Sequence, residues 1–180
     1  GFMHWWLVTA AAGLLAGGSA RAEEDALMEA MSRNPDRFAT RAIDLIAGFG
    51  GPEGISPKEI EVHIALERAG ARASALRRFL AMDLDADGTV TRDELTVSQH
   101  AASAQGRGRM ERLFTSADAD GNATLDAAEI AAVGTAAGLQ ALGEAEAEML
   151  RALMRLDADG NGLLATSEVA AAVARLDEAG

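Results

Sequence analysis

The sequence contains no cysteine and no tyrosine, and only 4% of its 180 residues are aromatic. Without cysteine the chain has no disulfide, no thiolate metal site, no cysteine nucleophile and no lipid-modified cysteine. The sequence also lacks a glycine-rich phosphate loop and a nucleophile elbow, and His63 and His100 have no catalytic partner nearby in sequence. We therefore expect that the protein is not an enzyme.

Acidic residues outnumber basic ones, and the formal net charge is −12. This charge disfavours nucleic acid or an anionic membrane as a direct partner. With 49% hydrophobic residues, the chain is long enough to form two small helical lobes and is not disordered by composition.

Three stretches of the chain repeat one spacing of oxygen-bearing side chains: DLDADGTVTRDE (83–94), DADGNATLDAAE (118–129) and DADGNGLLATSE (157–168). Each has acid or amide oxygens at positions 1, 3 and 5, an apolar residue at position 8 and Glu at position 12. Calcium is a hard cation that takes six to eight oxygens at roughly 2.3–2.6 Å, so a short loop must bend around it and direct alternate side chains inward. The spacing therefore predicts three calcium loops.

The pattern resembles the EF-hand superfamily in its calmodulin-like arrangement, from about Arg41 to the C-terminus. The resemblance implies an all-α fold: two lobes of paired helix–loop–helix hands, joined within each lobe by a short two-stranded pairing. It also implies Ca²⁺ as the bound ion. Proline at loop position 2, typical of lanthanide-selective relatives, is absent. The predicted metal ligands, including backbone carbonyls at position 7 and water-mediated contacts at position 9, are Asp83, Asp85, Asp87, Thr89, Thr91, Glu94, Asp118, Asp120, Asn122, Thr124, Asp126, Glu129, Asp157, Asp159, Asn161, Leu163 and Glu168.

A fourth, degenerate copy is predicted one repeat interval before Asp83. The stretch GFGGPEGISPKE (48–59) keeps Ile55 at position 8 and Glu59 at position 12 but has no side-chain oxygens at positions 1, 3 and 5. The alternative is an ordinary Gly/Pro loop between two helices. Because hands work in pairs, we interpret it as a metal-free hand and expect Ile55 to pair with Val90, and Leu125 with Leu164.

This order of hands predicts an N-terminal lobe over 23–100 and a C-terminal lobe over 109–180. Residues 101–108 between them are small and polar and include two glycines. Glycine disfavours a rigid helix, so we expect a flexible linker there.

Departures from the motif predict that the three loops differ in their affinity for calcium. Ala123 occupies a turn position that favours glycine, where a left-handed residue costs about 1–2 kcal/mol. Asp126 adds an acid to the same loop, and Ala165 removes a possible ligand from the third. We expect the Asp83 loop to bind calcium most tightly.

The N-terminal segment resembles a bacterial secretory signal, with an apolar run from Trp5 to Ala16 and a small-residue exit ending at Ala22. We interpret Gly1 and Phe2, which precede Met3, as a cloning remnant. We expect cleavage after Ala22 and a periplasmic or secreted protein. The alternatives are an uncleaved membrane anchor and a helix that packs in the intact chain; the apolar run is shorter than the roughly 20 residues that span a bilayer.

Two roles fit these features. As a sensor or signal modulator, the protein would expose an apolar groove to a protein or peptide target when calcium binds, and Met110, Met149 and Met154 place that groove in the C-terminal lobe. As a buffer or a calcium-stabilised structural protein, it would tighten without exposing new surface.

Overall fold

The computed structural model describes the backbone of residues 9–179 and the side chains of residues 20–179. Within these residues the fold is all-α, as predicted, with one two-stranded sheet. The elements are α1 (Thr9–Arg33), α2 (Pro35–Phe49), α3 (Pro57–Met82), β1 (Val90–Thr91), α4 (Arg92–Gln99), α5 (Ala104–Ala117), β2 (Thr124–Leu125), α6 (Ala127–Ala141), α7 (Glu144–Ala152), a 3-10 helix (Leu153–Leu156) and α8 (Thr166–Ala179).

Capping residues explain where several of these helices begin. The Asn34 side chain accepts a hydrogen bond from the Arg37 amide, and Pro35 occupies the first helical position of α2. Thr91 starts α4 with a reciprocal capping box, in which its hydroxyl accepts from the Glu94 amide while Glu94 accepts from the Thr91 amide. The start of α4 is therefore part of the calcium-loop motif itself.

The chain divides into two compact units that differ from the expected lobes. Residues 65–143 form one, the contiguous unit; residues 1–64 and 144–180 form the other, the split unit. The boundaries 23–100 and 109–180 therefore do not match the compact units. The chain passes from one unit to the other within α3 and again after Gly143, at the start of α7.

The predicted linker at residues 101–108 lies inside the contiguous unit, where it connects α4 to α5. Its second half is the first turn of α5, because the Ser103 side chain accepts a hydrogen bond from the Gly106 amide. Gln99 donates its side-chain amide to the Arg107 carbonyl at 3.2 Å. The N-cap at Ser103 therefore stabilises the start of α5 enough to offset the low helix propensity of the two glycines.

The predicted loop partners are wrong. Val90 pairs with Leu125 in the antiparallel sheet β1–β2, and Ile55 pairs with Leu164 in an isolated antiparallel bridge. The expected pairs joined neighbours at each end of the chain, whereas the structure joins the two middle loops and the two outer ones. All four residues have no exposed surface.

The contiguous unit has a core built around its two calcium loops. Phe79 and Met82 on α3 pack with Leu95 on α4 and Phe114 and Ala117 on α5, together with Val90 and Leu125 from the sheet. Added side-chain volume at Gly138 on α6 would come within 3.2 Å of the Arg68 carbonyl, so the glycine permits α6 to approach α3 closely.

In the split unit, α2 contacts α8, and α1 contacts both α2 and α7. Its buried apolar residues include Leu27, Met31, Leu45, Ile60 and Val169. Surface ion pairs join elements distant in sequence: Arg151 contacts Glu61 at 2.6 Å and Arg155 contacts Glu23 at 3.0 Å.

The N-terminal predictions fall only partly on the described chain. Residues 1–8, which include the start of the predicted apolar run, lie outside the described residues, and α1 continues through the predicted cleavage site. Among the helices that the structure describes, none combines the length and apolarity needed to cross a membrane.

Candidate metal centres

The structure gathers carboxylates at each of the three predicted loops. In each cluster, one oxygen from every member lies within 4.8 Å of the others. Each loop begins directly after a helix and ends in the first turn of the next, so two helices hold its ends. The clusters are Asp83, Asp85, Asp87 and Glu94; Asp118, Asp120 and Glu129; and Asp157, Asp159 and Glu168.

The Glu at position 12 is held by backbone amides in the same way in every loop. Its Oε2 atom accepts a hydrogen bond from the amide of position 2 at 2.6 Å in all three loops. Its Oε1 atom accepts from the amide of position 9, at 3.0 Å from Thr91, 3.2 Å from Asp126 and 3.0 Å from Ala165. The hydrogen bond from position 2 ties the start of each loop to its last residue, and it does not require a bound ion.

The aspartate at position 1 supplies the strongest evidence for a cation. Its Oδ2 atom accepts from the amide of position 6, at 2.9 Å in the Asp118 loop and 2.8 Å in the Asp157 loop. The other oxygen, Oδ1, is buried in both Asp118 and Asp157 and has no hydrogen-bond partner among the described residues. A buried carboxylate oxygen without a partner is costly, and a hard cation among these oxygens would satisfy it.

The side chain at position 5 orients the residue at position 7. Asp87, Asn122 and Asn161 each accept a hydrogen bond through Oδ1 from the amide two residues on, at 2.9, 3.0 and 2.9 Å. These are local Asx-type turns. The carbonyls of Thr89, Thr124 and Leu163, the predicted ligands at position 7, stay predictions.

Position 9 has a capping role in two loops. Asp126 is not among the clustered carboxylates; its Oδ1 atom accepts from the Glu129 amide at 2.8 Å and caps α6. Thr91 caps α4 in the same way. Their water-mediated contacts to an ion remain predicted, and Ala165 offers no side-chain oxygen at this position.

Left-handed backbone occurs at two positions of each calcium loop, one of which the sequence analysis missed. Position 6 has φ values of 86° at Gly88, 63° at Ala123 and 82° at Gly162, and position 4 has 58° at Ala86. Glycine fills position 4 in the other two loops, at Gly121 (69°) and Gly160 (67°).

The distribution of these glycines changes the expected strain. Gly121 supplies the left-handed residue at position 4 of the Asp118 loop. The Asp83 and Asp118 loops each hold one alanine in the left-handed region, whereas the Asp157 loop holds none. Backbone strain therefore gives no reason to expect that the Asp83 loop binds calcium most tightly.

Crowding of carboxylates and local hydrogen bonds shift the pKa values of the acids in the Asp83 loop in opposite directions. Desolvation, together with repulsion from Asp87 and Glu94, raises the pKa of Asp85. Hydrogen bonds from Thr89 lower the pKa of Asp87, and the Thr91 amide lowers that of Glu94. The loop therefore holds negative charge beside a carboxylate that resists further charging, and a bound cation would relieve that repulsion.

The predicted metal-free loop keeps the second half of the same geometry. Glu59 accepts through Oε1 from the Ser56 amide at 2.9 Å, and the Glu59 amide donates to the Ser56 hydroxyl at 3.2 Å. This matches the contact between positions 9 and 12 in the calcium loops. The first half differs, because α2 extends to Phe49 and a tight turn bridges Gly51 to Gly54.

Comparison with known proteins supports the same interpretation for one loop. A family model described as EF hand matches residues 76–97, which span the end of α3, the Asp83 loop and most of α4. No curated protein and no solved structure matches the chain at a significant level. The match and the three carboxylate clusters together support calcium binding at EF-hand loops.

Proposed function

We propose that the protein is an extracytoplasmic calcium sensor with four EF-hands, three that bind calcium and one, at residues 48–59, that is metal-free. The observation that carries the proposal is the unpartnered Oδ1 atom of Asp118 and of Asp157, each within a carboxylate cluster closed by a position-12 Glu. The Ile55–Leu164 bridge and the Ser56–Glu59 contact support a fourth hand.

Sensing requires that the ion sites be coupled to apolar surface. A cavity of about 230 Å³ in the contiguous unit is lined both by Asp83 and Gly88 of the calcium loop and by apolar residues, including Phe79 and Ile130. Leu80 lines the same cavity and is 70% exposed. A rearrangement of the loop on binding calcium would therefore alter this apolar surface directly.

The three methionines that the sequence analysis assigned to one C-terminal lobe belong to different units. Met110 packs against the core of the contiguous unit, whereas Met149 and Met154 belong to the split unit. We therefore propose that each unit presents its own apolar surface to protein or peptide targets.

A calcium titration by calorimetry on residues 23–180, with an environment-sensitive apolar dye, tests the proposal. Three sites and increased dye fluorescence on adding calcium are expected. Variants Glu94→Gln, Glu129→Gln and Glu168→Gln should each remove or weaken one site, because each loses the carboxylate that closes its loop; Glu53→Gln, outside the clusters, is the matched control. A calcium-induced fall in fluorescence would favour a buffer or structural role instead.

Export is tested separately. Arg21 and Ala22 are exposed, and Glu23, the first residue after the predicted cleavage point, pairs with Arg155. Expression of the full chain in a bacterium with a periplasm should give a mature protein that begins at Glu23 by mass spectrometry. Intact protein in the cytosolic fraction would contradict export.

A further inference from the structure

The split unit contains a cavity of about 760 Å³ that lies outside the three carboxylate clusters. Its walls are contributed by the end of α1, by α2, by His63 on α3, and by the segment from α7 to the 3-10 helix. Pockets for small ligands are typically 300–1,000 Å³ and mostly apolar. The apolar lining residues are Phe38, Leu45, Phe49, Met149, Leu150 and Leu153.

The lining of this cavity contains more basic than acidic side chains. Arg33, Arg37 and Arg41 line it, against two acids, Asp44 and Glu146, in a chain of net charge −12. Glu29, which pairs with Arg33, lies outside the lining and balances the third arginine, so the preference for an anion rests on Arg37, the arginine of the three that has no carboxylate partner in the part of the chain that the structure describes.

One of the three arginines is available for a ligand. Arg33 pairs with Glu29 at 2.8 Å, and Arg41 pairs with Glu146 at 3.1 Å. Among residues 20–179, the guanidinium of Arg37 has no ion pair or hydrogen bond. A guanidinium offers a planar fork of donors that matches a carboxylate.

A second polar group on the cavity wall also has no partner. The Nδ1 atom of His63 is buried and makes no hydrogen bond among the described residues. The ring is held edge-on to Phe49, with 4.6 Å between centroids. Buried polar atoms without partners carry a desolvation cost, but Nδ1 has almost no accessible surface, so the His63 ring contributes to the wall of the cavity and not a hydrogen bond to a ligand.

We propose that this cavity binds a small amphipathic carboxylate, of the class of medium-chain fatty acids. Its hydrocarbon chain would lie against the apolar wall, which includes the His63 ring, and its carboxylate would pair with Arg37. This is a second ligand site, and it does not depend on the proposed calcium function.

Decanoate is the probe, added to the full chain below its micelle-forming concentration in calcium-free buffer, where calcium soaps do not form. We expect saturable binding by calorimetry, with shifts of the Met149 methyl and His63 imidazole signals in NMR spectra. Decyltrimethylammonium, which has the same chain length and the opposite charge, should bind at least tenfold more weakly. Equal binding of the two, no saturable binding of decanoate, or binding without those shifts would overturn the proposal.

Single substitutions distinguish the contribution of the Arg37 charge to binding from the contribution of the apolar cavity. Arg37→Gln should weaken decanoate binding about threefold, as for loss of a solvent-exposed ion pair, and leave binding of decanol unchanged. Arg175→Gln, at an exposed arginine on α8 of the same unit, is the matched control and should change neither. Equal effects of the two substitutions would overturn the assignment to Arg37.

A filled cavity provides an independent check. Leu150→Trp places a larger side chain at the wall and should abolish binding of both decanoate and decanol, while the circular dichroism spectrum confirms that the helices are retained. Undiminished binding in a folded Leu150→Trp protein would place the ligand elsewhere and overturn the proposal.

Discussion

Ile55 and Leu164 exchange two backbone hydrogen bonds, with N···O distances of 3.0 and 2.9 Å. This bridge joins a loop with no acidic cluster to the loop that begins at Asp157. The two loops that begin at Asp83 and Asp118 are joined instead by Val90 and Leu125. One of the three loops with a carboxylate cluster is therefore paired with the loop that lacks one, and the other two are paired with each other.

The first prediction concerns the close approach at Gly54. This residue has φ of 130°, and a β-carbon there would lie 2.4 Å from the Leu164 carbonyl oxygen. We expect Gly54→Ala to destabilise the protein by more than about 1 kcal/mol, because it strains the backbone and separates the bridge. Chemical denaturation measures the loss.

Gly51→Ala is the control for this substitution, since a β-carbon at Gly51 would have no described atom within 4 Å apart from those of its own residue and its two chain neighbours. Gly54→Ala should also weaken calcium binding at the Asp157 loop, which the control should not. Equal stability of the two variants would show that the bridge contributes little.

The second prediction concerns coupling between the paired loops. Because Val90 and Leu125 connect them, ordering of one loop by calcium should favour ordering of the other. We expect Glu94→Gln to weaken calcium binding at the Asp118 loop several-fold, about 1 kcal/mol of coupling, and to leave the Asp157 loop unaffected. NMR titration of amides in each loop distinguishes the sites. An unchanged Asp118 site would mean that the two loops bind independently.

The third prediction tests strain at the two left-handed alanines. Replacing Ala86 or Ala123 by glycine removes a cost of about 1–2 kcal/mol, offset in part by the greater entropy of glycine in the unfolded chain. A net gain of about 0.5–1 kcal/mol in the unfolding free energy of the calcium-loaded protein is expected. Thermal and chemical denaturation measure it.

Ala119→Gly is the control for both replacements, because Ala119 is not in the left-handed region. It should give no gain. If Ala123→Gly is no more stable than Ala119→Gly, the left-handed backbone at position 6 carries little strain.

The fourth prediction concerns the contact between α4 and α5. Both guanidinium nitrogens Nη1 and Nη2 of Arg92 donate to the Glu111 carboxylate at 2.8 Å, and this contact lowers the pKa of Glu111. Since the folded-state pKa is lowered, the stabilisation is present above the ordinary Glu pKa and is lost as pH falls through the lowered value.

Glu111→Gln should therefore cost at most about 1 kcal/mol near neutral pH, because the pair is half-exposed. The difference in unfolding free energy between Glu111→Gln and the unsubstituted protein should vanish in strong acid. Chemical denaturation at a series of pH values measures it. Arg33→Gln, which breaks a more exposed pair with Glu29, should have a smaller effect. A constant difference across pH would assign the effect to packing.

The sequence predicted the helical class and the loop positions because the chemistry is local. The acids, the position-8 apolar residue and the position-12 Glu all fall within one short segment, and the capping boxes at Thr91 and Asp126 start the exit helices from within that segment. The pairing of loops is not local. Ile55, Val90, Leu125 and Leu164 are similar apolar residues, so nothing in any one loop identifies its partner, and proximity in sequence suggested the wrong one.

Three further features were missed for identifiable reasons. The left-handed backbone at Ala86 has no signal in the residue itself, because alanine is not a residue that favours that conformation. The helical start at Ala104 did have a signal in Ser103, which the neighbouring glycines obscured. The cavity near His63 depends on α1, α2 and α7 meeting in the split unit, which only the tertiary structure shows.

The division of the chain also orders its biosynthesis. The contiguous unit is encoded by one uninterrupted stretch that ends at Gly143, whereas the split unit needs residues from both sides of that stretch. Ile55 is synthesised long before Leu164, its partner in the bridge. A chain truncated after Gly143 would keep every residue of the contiguous unit but leave Ile55 without that partner.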